Sequence, residues 1–202
     1  MGFIAVFSYD SGGTGPATPT ISGWNQVAQT QAEVAPGYPV GCTVFRRVGS
    51  FSGTQAITYG IAQGYILWQV VKCTGSKLTG TNGADAVRQT ITGTSGASSV
   101  NNISADFTTY TPTASGNAIL AWHIDWNVNT ITPRTSFSSL YHEADGNIST
   151  CATTYRATGT DTAVSHTSSG SAPQGICGIE IDAAAASYVP SDHFGTSGMF
   201  GA

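Results

Sequence analysis

Apolar and polar residues alternate in short runs along the chain. In one run Phe3, Ala5, Phe7 and Tyr9 share a parity, and in another Ala118, Leu120, Trp122, Ile124 and Trp126 do. Successive side chains of a strand point to opposite sides, so each set lines one buried face. The other parity carries Ser8, Asp10, His123 and Asp125, which this alternation turns outward. Similar runs rich in Val, Ile, Thr, Phe, Tyr and Trp are separated by Gly, Pro, Asn and Ser clusters, and helical spacing is almost absent. Strands are expected at 3–9, 23–29, 42–48, 65–72, 103–109, 118–126, 137–142, 151–157 and 175–181, with weaker ones at 55–59, 87–92 and 163–166. Asp145-Gly146 predicts a tight hairpin between the 137 and 151 strands, because a type I′ turn needs the positive φ that these residues tolerate.

The pattern occurs twice, at an offset of about 110 to 115 positions. FIAVFSYD (3–10) matches AILAWHID (118–125), and TPTISGWNQV (18–27) lies over ITPRTSFSSL (131–140), which sets Trp24 on Phe137. CTVFRRVG (42–49) overlays ATTYRATG (152–159) with Phe45 on Tyr155 and Arg46 on Arg156, and GYILWQVV (64–71) overlays GICGIEI (175–181). Two similar halves completing one core imply an all-β, two-sheet antiparallel β-sandwich. The expected organisation is a single domain at 1–182, with pseudo-repeats at about 3–73 and 100–182 joined by a loop at 74–99, and a C-terminal tail at 183–202.

Composition narrows the function. Charged residues are 9% of the chain, against roughly 25% in ordinary soluble domains. The net charge is −4 and the basic residues cluster only at Arg46-Arg47, which argues against nucleic acid as a partner. No apolar run approaches the roughly 20 residues of a membrane-spanning helix, and neither a signal peptide nor a membrane partner is expected. Cys42, Cys73, Cys151 and Cys177 lack metal-site spacing, and buried reduced thiols are the favoured reading.

Candidate chemistry is sparse. His123 and Asp125 share a strand face and could orient one another or hold a metal with help from His142, Glu143, His166 or Glu180, but a polar outer face accounts for them as well. Ser191-Asp192-His193 is contiguous, unlike an assembled triad, and neither a nucleophile elbow nor a phosphate-cradling motif is present. The sequons at Asn102 and Asn147 are explained by chance. No catalytic residue, metal or cofactor is therefore assigned, and the chain is expected not to be an enzyme. Trp122 and Trp126 belong inside, whereas Trp24 and Trp68 are the candidates for glycan or partner contact. Tyr188, His193, Phe194 and Phe200 give the tail an aromatic character suited to docking on a neighbouring subunit or back on the sandwich.

The pieces FIAVFSYDSG, TPTISGW, TVFRRVG and GYILWQVV, repeated as AILAWHIDWN, ITPRTS, TTYRATG and GICGIEI, resemble bacteriophage virion proteins with a duplicated β-sandwich, over about 3–182. That resemblance implies a jelly-roll-like fold and a structural role on the particle surface, as decoration, fibre or appendage docking on capsid or tail. It also implies homo-oligomers, with a trimer plausible, contacts with other virion proteins, and a virion location after assembly in the host cytoplasm. The chain departs from the group by opening at the FIAVF strand without a counterpart of 103–109, an edge that the tail or a neighbouring chain would fill. The alternative function is a glycan-binding module for host surface polysaccharide.

Overall fold

The computed structural model describes residues 1–9, 17–34, 38–50, 54–61, 63–96, 98–107, 117–144, 149–157, 162–190 and 195–197. The first half contributes β1 (Gly2–Tyr9), β2 (Thr20–Ile21), β3 (Asn25–Val34), β4 (Tyr38–Arg47), β5 (Ile57–Thr58) and β6 (Tyr65–Ser76). A short 3-10 turn (Ala84–Ala86) leads into β7 (Val87–Thr94), followed by β8 (Val100–Asp106). The second half contributes β9 (Asn117–Asp125), β10 (Ile131–Pro133), β11 (Ser138–Ala144), β12 (Thr150–Arg156), β13 (Ala163–Ala172), β14 (Gln174–Pro190) and β15 (Gly195–Ser197).

The duplication is present in the topology. Strand order β3-β4-β1-β6 in the first half recurs as β11-β12-β9-β14 in the second, and the ribbon β2-β5 recurs as β10-β13. Local details repeat as well. Trp24 N–H bonds to Ile21 O at 3.1 Å and Phe137 N–H to Arg134 O at 2.8 Å, the same turn before β3 and β11. Each of those strands then carries a bulge, between Gln26 and Ala28 and between Ser139 and Tyr141. Two overlays need correction by one residue. Gly175 lies opposite Ile124 as Tyr65 lies opposite the equivalent Tyr9, so Gly175 corresponds to Tyr65 and not to Gly64. The Cys42 strand shifts likewise. Phe7 lies opposite Cys42 and Leu67, and its counterpart Trp122 lies opposite Thr153 and Cys177. Cys42 therefore corresponds to Thr153, one residue beyond the sequence match. A one-residue slip reverses the faces, so Phe45 packs in an outer cluster while Tyr155 packs on the central core.

The two main sheets face one another around Phe3, Phe7, Leu67, Leu120, Trp122 and Ile179. Phe3 and Trp122 meet across the layers with ring centroids 6.0 Å apart. All four cysteines are buried and free, and Cys177 Sγ lies 3.7 Å from Cys42 O across the same interior.

Both main sheets are covered on the outside too. The three-stranded sheet β10-β13-β8 lies over β9 and β14, burying Ile103, Phe107, Ile119, Phe137, Val164 and Ile176. The small ribbon β2-β5 covers β1 and β4 through Ile4, Val6, Ile21, Trp24 and Phe45. The residues expected to point to solvent are consequently sealed: Ser8, His123 and Asp125 are buried. Strand alternation assigned their side of the sheet properly, but it carries no information about a further layer on that side. Asp10 and the Asp145-Gly146 turn lie outside the described residues, although β11 and β12 do pair antiparallel.

The segments read as connection and tail contain strands. β7 pairs with β14, Val87 opposite Ile181 through Thr94 opposite Gly175. β14 pairs with β9 as far as Asp182 and then runs back along β6, with Ser187–Pro190 opposite Thr74–Val71. β15 continues along the same edge, Gly195 opposite Trp68 to Ser197 opposite Ile66. Each half therefore ends in a segment that crosses to the edge of the other half's sheet. Lys77 and Asp182 form an ion pair of 2.5 Å at the crossing.

Candidate functional site

A group of buried polar side chains lies between β9 and its outer cover. Strand parity puts His123 and Asp125 on the same side of β9, Gln174 sits opposite Asp125 on β14, and β13 brings His166 and Ser168 down from above. Asp125 accepts from Ser168 Oγ at 2.5 Å, Gln174 Nε2 at 3.2 Å, Asn129 Nδ2 at 3.1 Å and the Asn127 amide at 2.8 Å. Burial raises its carboxyl pKa, and these hydrogen bonds pull in the opposite direction. His166 pairs with Thr154 Oγ1 at 3.0 Å, and its ring centroid is 5.1 Å from that of His123.

Burial holds both imidazoles neutral. His166 is pushed down to about 4, and His123 is lowered by burial first and by the neighbouring His166 second, while its interaction with Gln174 opposes. Asp125 is satisfied by four neighbours and both rings are buried, and Ser168 and His166 link the outer sheet to the strands beneath it. Among the described residues no group of three or more His, Cys, Asp or Glu side chains is arranged to hold a metal. His142 turns elsewhere, its Nε2 accepting the Ile131 amide at 3.0 Å.

The aromatic candidates are also committed to packing. Trp24 is only 7% exposed, beneath the outer ribbon, and its Nε1 donates to Gln55 Oε1 at 2.9 Å. Trp68 is half-buried in the same cluster with Ile57, Tyr59, Ile66 and Val70. The pair therefore forms part of a small outer core, and Trp24 is corrected from a surface contact to a packing residue. Trp122 is fully buried as expected, and Trp126 packs partly buried with its ring 4.6 Å from Tyr9.

The edge of β6 opposite β1 is filled by the terminal segment: Tyr188 lies opposite Cys73, Val189 opposite Lys72 and Pro190 opposite Val71. His193, Phe194 and Phe200, like Ser191-Asp192-His193, fall outside the described residues. Sequence reasoning placed this segment in a tail because AAAA interrupts the alternation that marks the strand before it. The signal that could have found it was the duplication itself, since β7 follows β6 as this segment follows Asp182.

Compared with known proteins, the chain matches no family model, no curated protein and no solved structure.

Proposed function

We propose that the chain is a non-enzymatic structural component of a bacteriophage particle, a surface module that docks on capsid or tail and assembles with further copies of itself. The observation that carries this reading is the duplicated sandwich in which β14 leaves its own sheet to complete the edge of the other. A fold that closes by adding strands to open edges is suited to joining neighbours in the same way. The low charge supports it, since surface without ions is buried between subunits without the several kcal/mol that desolvating each charge costs. The repeated sequence pieces that resemble virion sandwiches point the same way.

Glycan binding has less support, because Trp24 is sealed and Trp68 is half-buried beside it. The reading is tested on particles. Virions banded in a density gradient from cells producing the chain should contain it in many copies by mass spectrometry. Recovery of the chain only from the particle-free fraction would retire the virion role.

A further inference from the structure

We propose that the outer sheet β10-β13-β8 is an acid-released cover, which parts from β9 and β14 when the facing rings of His123 and His166 take up protons. The device belongs to the single chain and stands apart from the assembly reading.

The two rings come from different layers. His123 is on β9 and His166 on β13, their centroids are 5.1 Å apart, and both side chains are buried. A charged imidazole donates from both nitrogens and needs two acceptors. Thr154 Oγ1 lies 3.0 Å from His166 Nε2, but among the described residues His166 Nδ1 and both nitrogens of His123 have no hydrogen-bond partner. Gln174 favours charge on His123, yet it weighs less than burial and the neighbouring His166. A proton on either ring is therefore buried short of acceptors, and a second proton adds like charge at the same place. Moving β13 away from β9 relieves both penalties at once, because it brings the rings to water.

The other titratable groups on this side supply no acceptor. Asp125, two residues along β9, already accepts from Ser168, Gln174, Asn129 and the Asn127 amide. His142 on β11 adds like charge and lowers His123 further. Arg156 and Glu180 both lie opposite Ile119, four positions from His123 along β9. On and beside the outer sheet, Asp106 and Arg134 are exposed.

The Asp125 end gives the cover its hinge. Asn129 Nδ2 donates to Gly170 O at 3.3 Å, Asn127 Nδ2 to Ser171 O at 3.3 Å and the Trp126 amide to Pro173 O at 3.1 Å, in addition to the bond from Ser168 to Asp125. The carboxyl of Asp125 is raised by burial, so acid favours the fold there, and this end holds while the rings titrate. Opening swings β8 and the rest of β13 off Ile119, Ala121 and Ile176, an apolar face that becomes available only in acid. His166 is held at about 4 under the cover against about 6.5 when free, so it alone favours the open form about 30-fold more at pH 5 than at neutral pH. His123 adds in the same direction.

The test is peptide-resolved hydrogen exchange of the purified wild-type chain at pH 7.5 and 5.0, with protection corrected for the pH dependence of intrinsic exchange. The expected result is a loss of protection in β8 and β13 of at least about tenfold, while β1 and β4 keep theirs. His166→Gln should reduce that loss several-fold, and His123→Gln added to it should abolish the loss. Equal loss in all strands would mean that acid acts only through global unfolding. Unchanged protection in β8 and β13 would mean that the layers stay together in acid. Either outcome overturns the proposal, and both are read on the wild-type chain, so they stand even where a substitution prevents folding. A loss that persists in full in both variants would overturn it as well, by moving the trigger off these rings. Because purified chains suffice, failure of the chain to appear in virions leaves this outcome unaffected.

Discussion

Gly178 faces the outer layer of the second half at the position where the first half carries Trp68, since Ala121–Gly178 and Val6–Trp68 are equivalent cross-strand pairs. A Cβ on Gly178 would lie 2.9 Å from Ile91 Cγ1 and 3.1 Å from Val164 Cγ2, so the absence of a side chain is what lets β13 approach. In the first half the indole fills that space, and the cover is only the two-residue ribbon β2-β5. Gly178→Val should therefore destabilise by about 1–3 kcal/mol through overpacking, read as a lower urea midpoint. None of this was legible from single positions, because glycine and tryptophan do not look like counterparts until the registers are compared. The buried histidines make a second prediction. A histidine whose folded pKa lies below its unfolded value of about 6.5 binds its proton mainly when unfolded, so stability is full above pH 6.5 and falls as pH drops toward the folded value. For His166, held near 4, the loss is on the order of 3 kcal/mol by the bottom of that window. Asp125 works in the opposite sense, its raised pKa favouring the fold on acidification, but only in the carboxyl range. Urea midpoints measured between pH 7.5 and 4.5 should fall with acid, and His166→Gln should flatten the slope. A midpoint that does not change over this range would mean the two rings are hydrated.

Strands with one face on the central core were readable from alternation, and β1, β9 and the start of β14 lie where the pattern put them. β7 was read weakly and assigned to a connection because its residues, VRQTITGT, offer only Val87 and Ile91 as apolar side chains. Its stabilisation comes from the ladder with β14 and from the threonine links to β3, long-range features that no local window contains. The β4–β12 overlay failed for a related reason. Matching Arg46 to Arg156 aligned chemistry, whereas the sheet conserves parity, and the two demands differ by one residue. The link between β3 and β7 can be tested directly. Thr30 is 5% exposed, so Thr30→Val keeps the shape but leaves Gly93 O without its donor, at a cost of about 1 kcal/mol or somewhat more. Amide exchange in β7 should accelerate in that variant while β1 and β9 keep their protection. Uniform acceleration throughout would show instead that β7 opens only with global unfolding.

Across the whole molecule, the duplicated halves share one central core. Each main sheet is apolar on the side that faces the other, and the central core takes Phe3, Phe7 and Leu67 from one half and Leu120, Trp122 and Ile179 from the other. Either half alone would expose one complete wall of that core. It would also lose the strand that the other half supplies to its edge, the terminal segment for β6 or β7 for β14. Both penalties fall together, so unfolding should be a single transition despite the internal repeat. Calorimetry of the intact chain should give equal calorimetric and van't Hoff enthalpies, the signature of one cooperative unit. The sharper measurement uses separately produced fragments, 1–96 and 98–202. Each should give collapsed NMR amide dispersion by itself, and mixing should restore the dispersed spectrum as the two walls of the core meet. A dispersed spectrum from either fragment alone would mean that its outer cover and ladder suffice without the shared core, and the strand exchange between halves would then be a late addition to modules that were already stable.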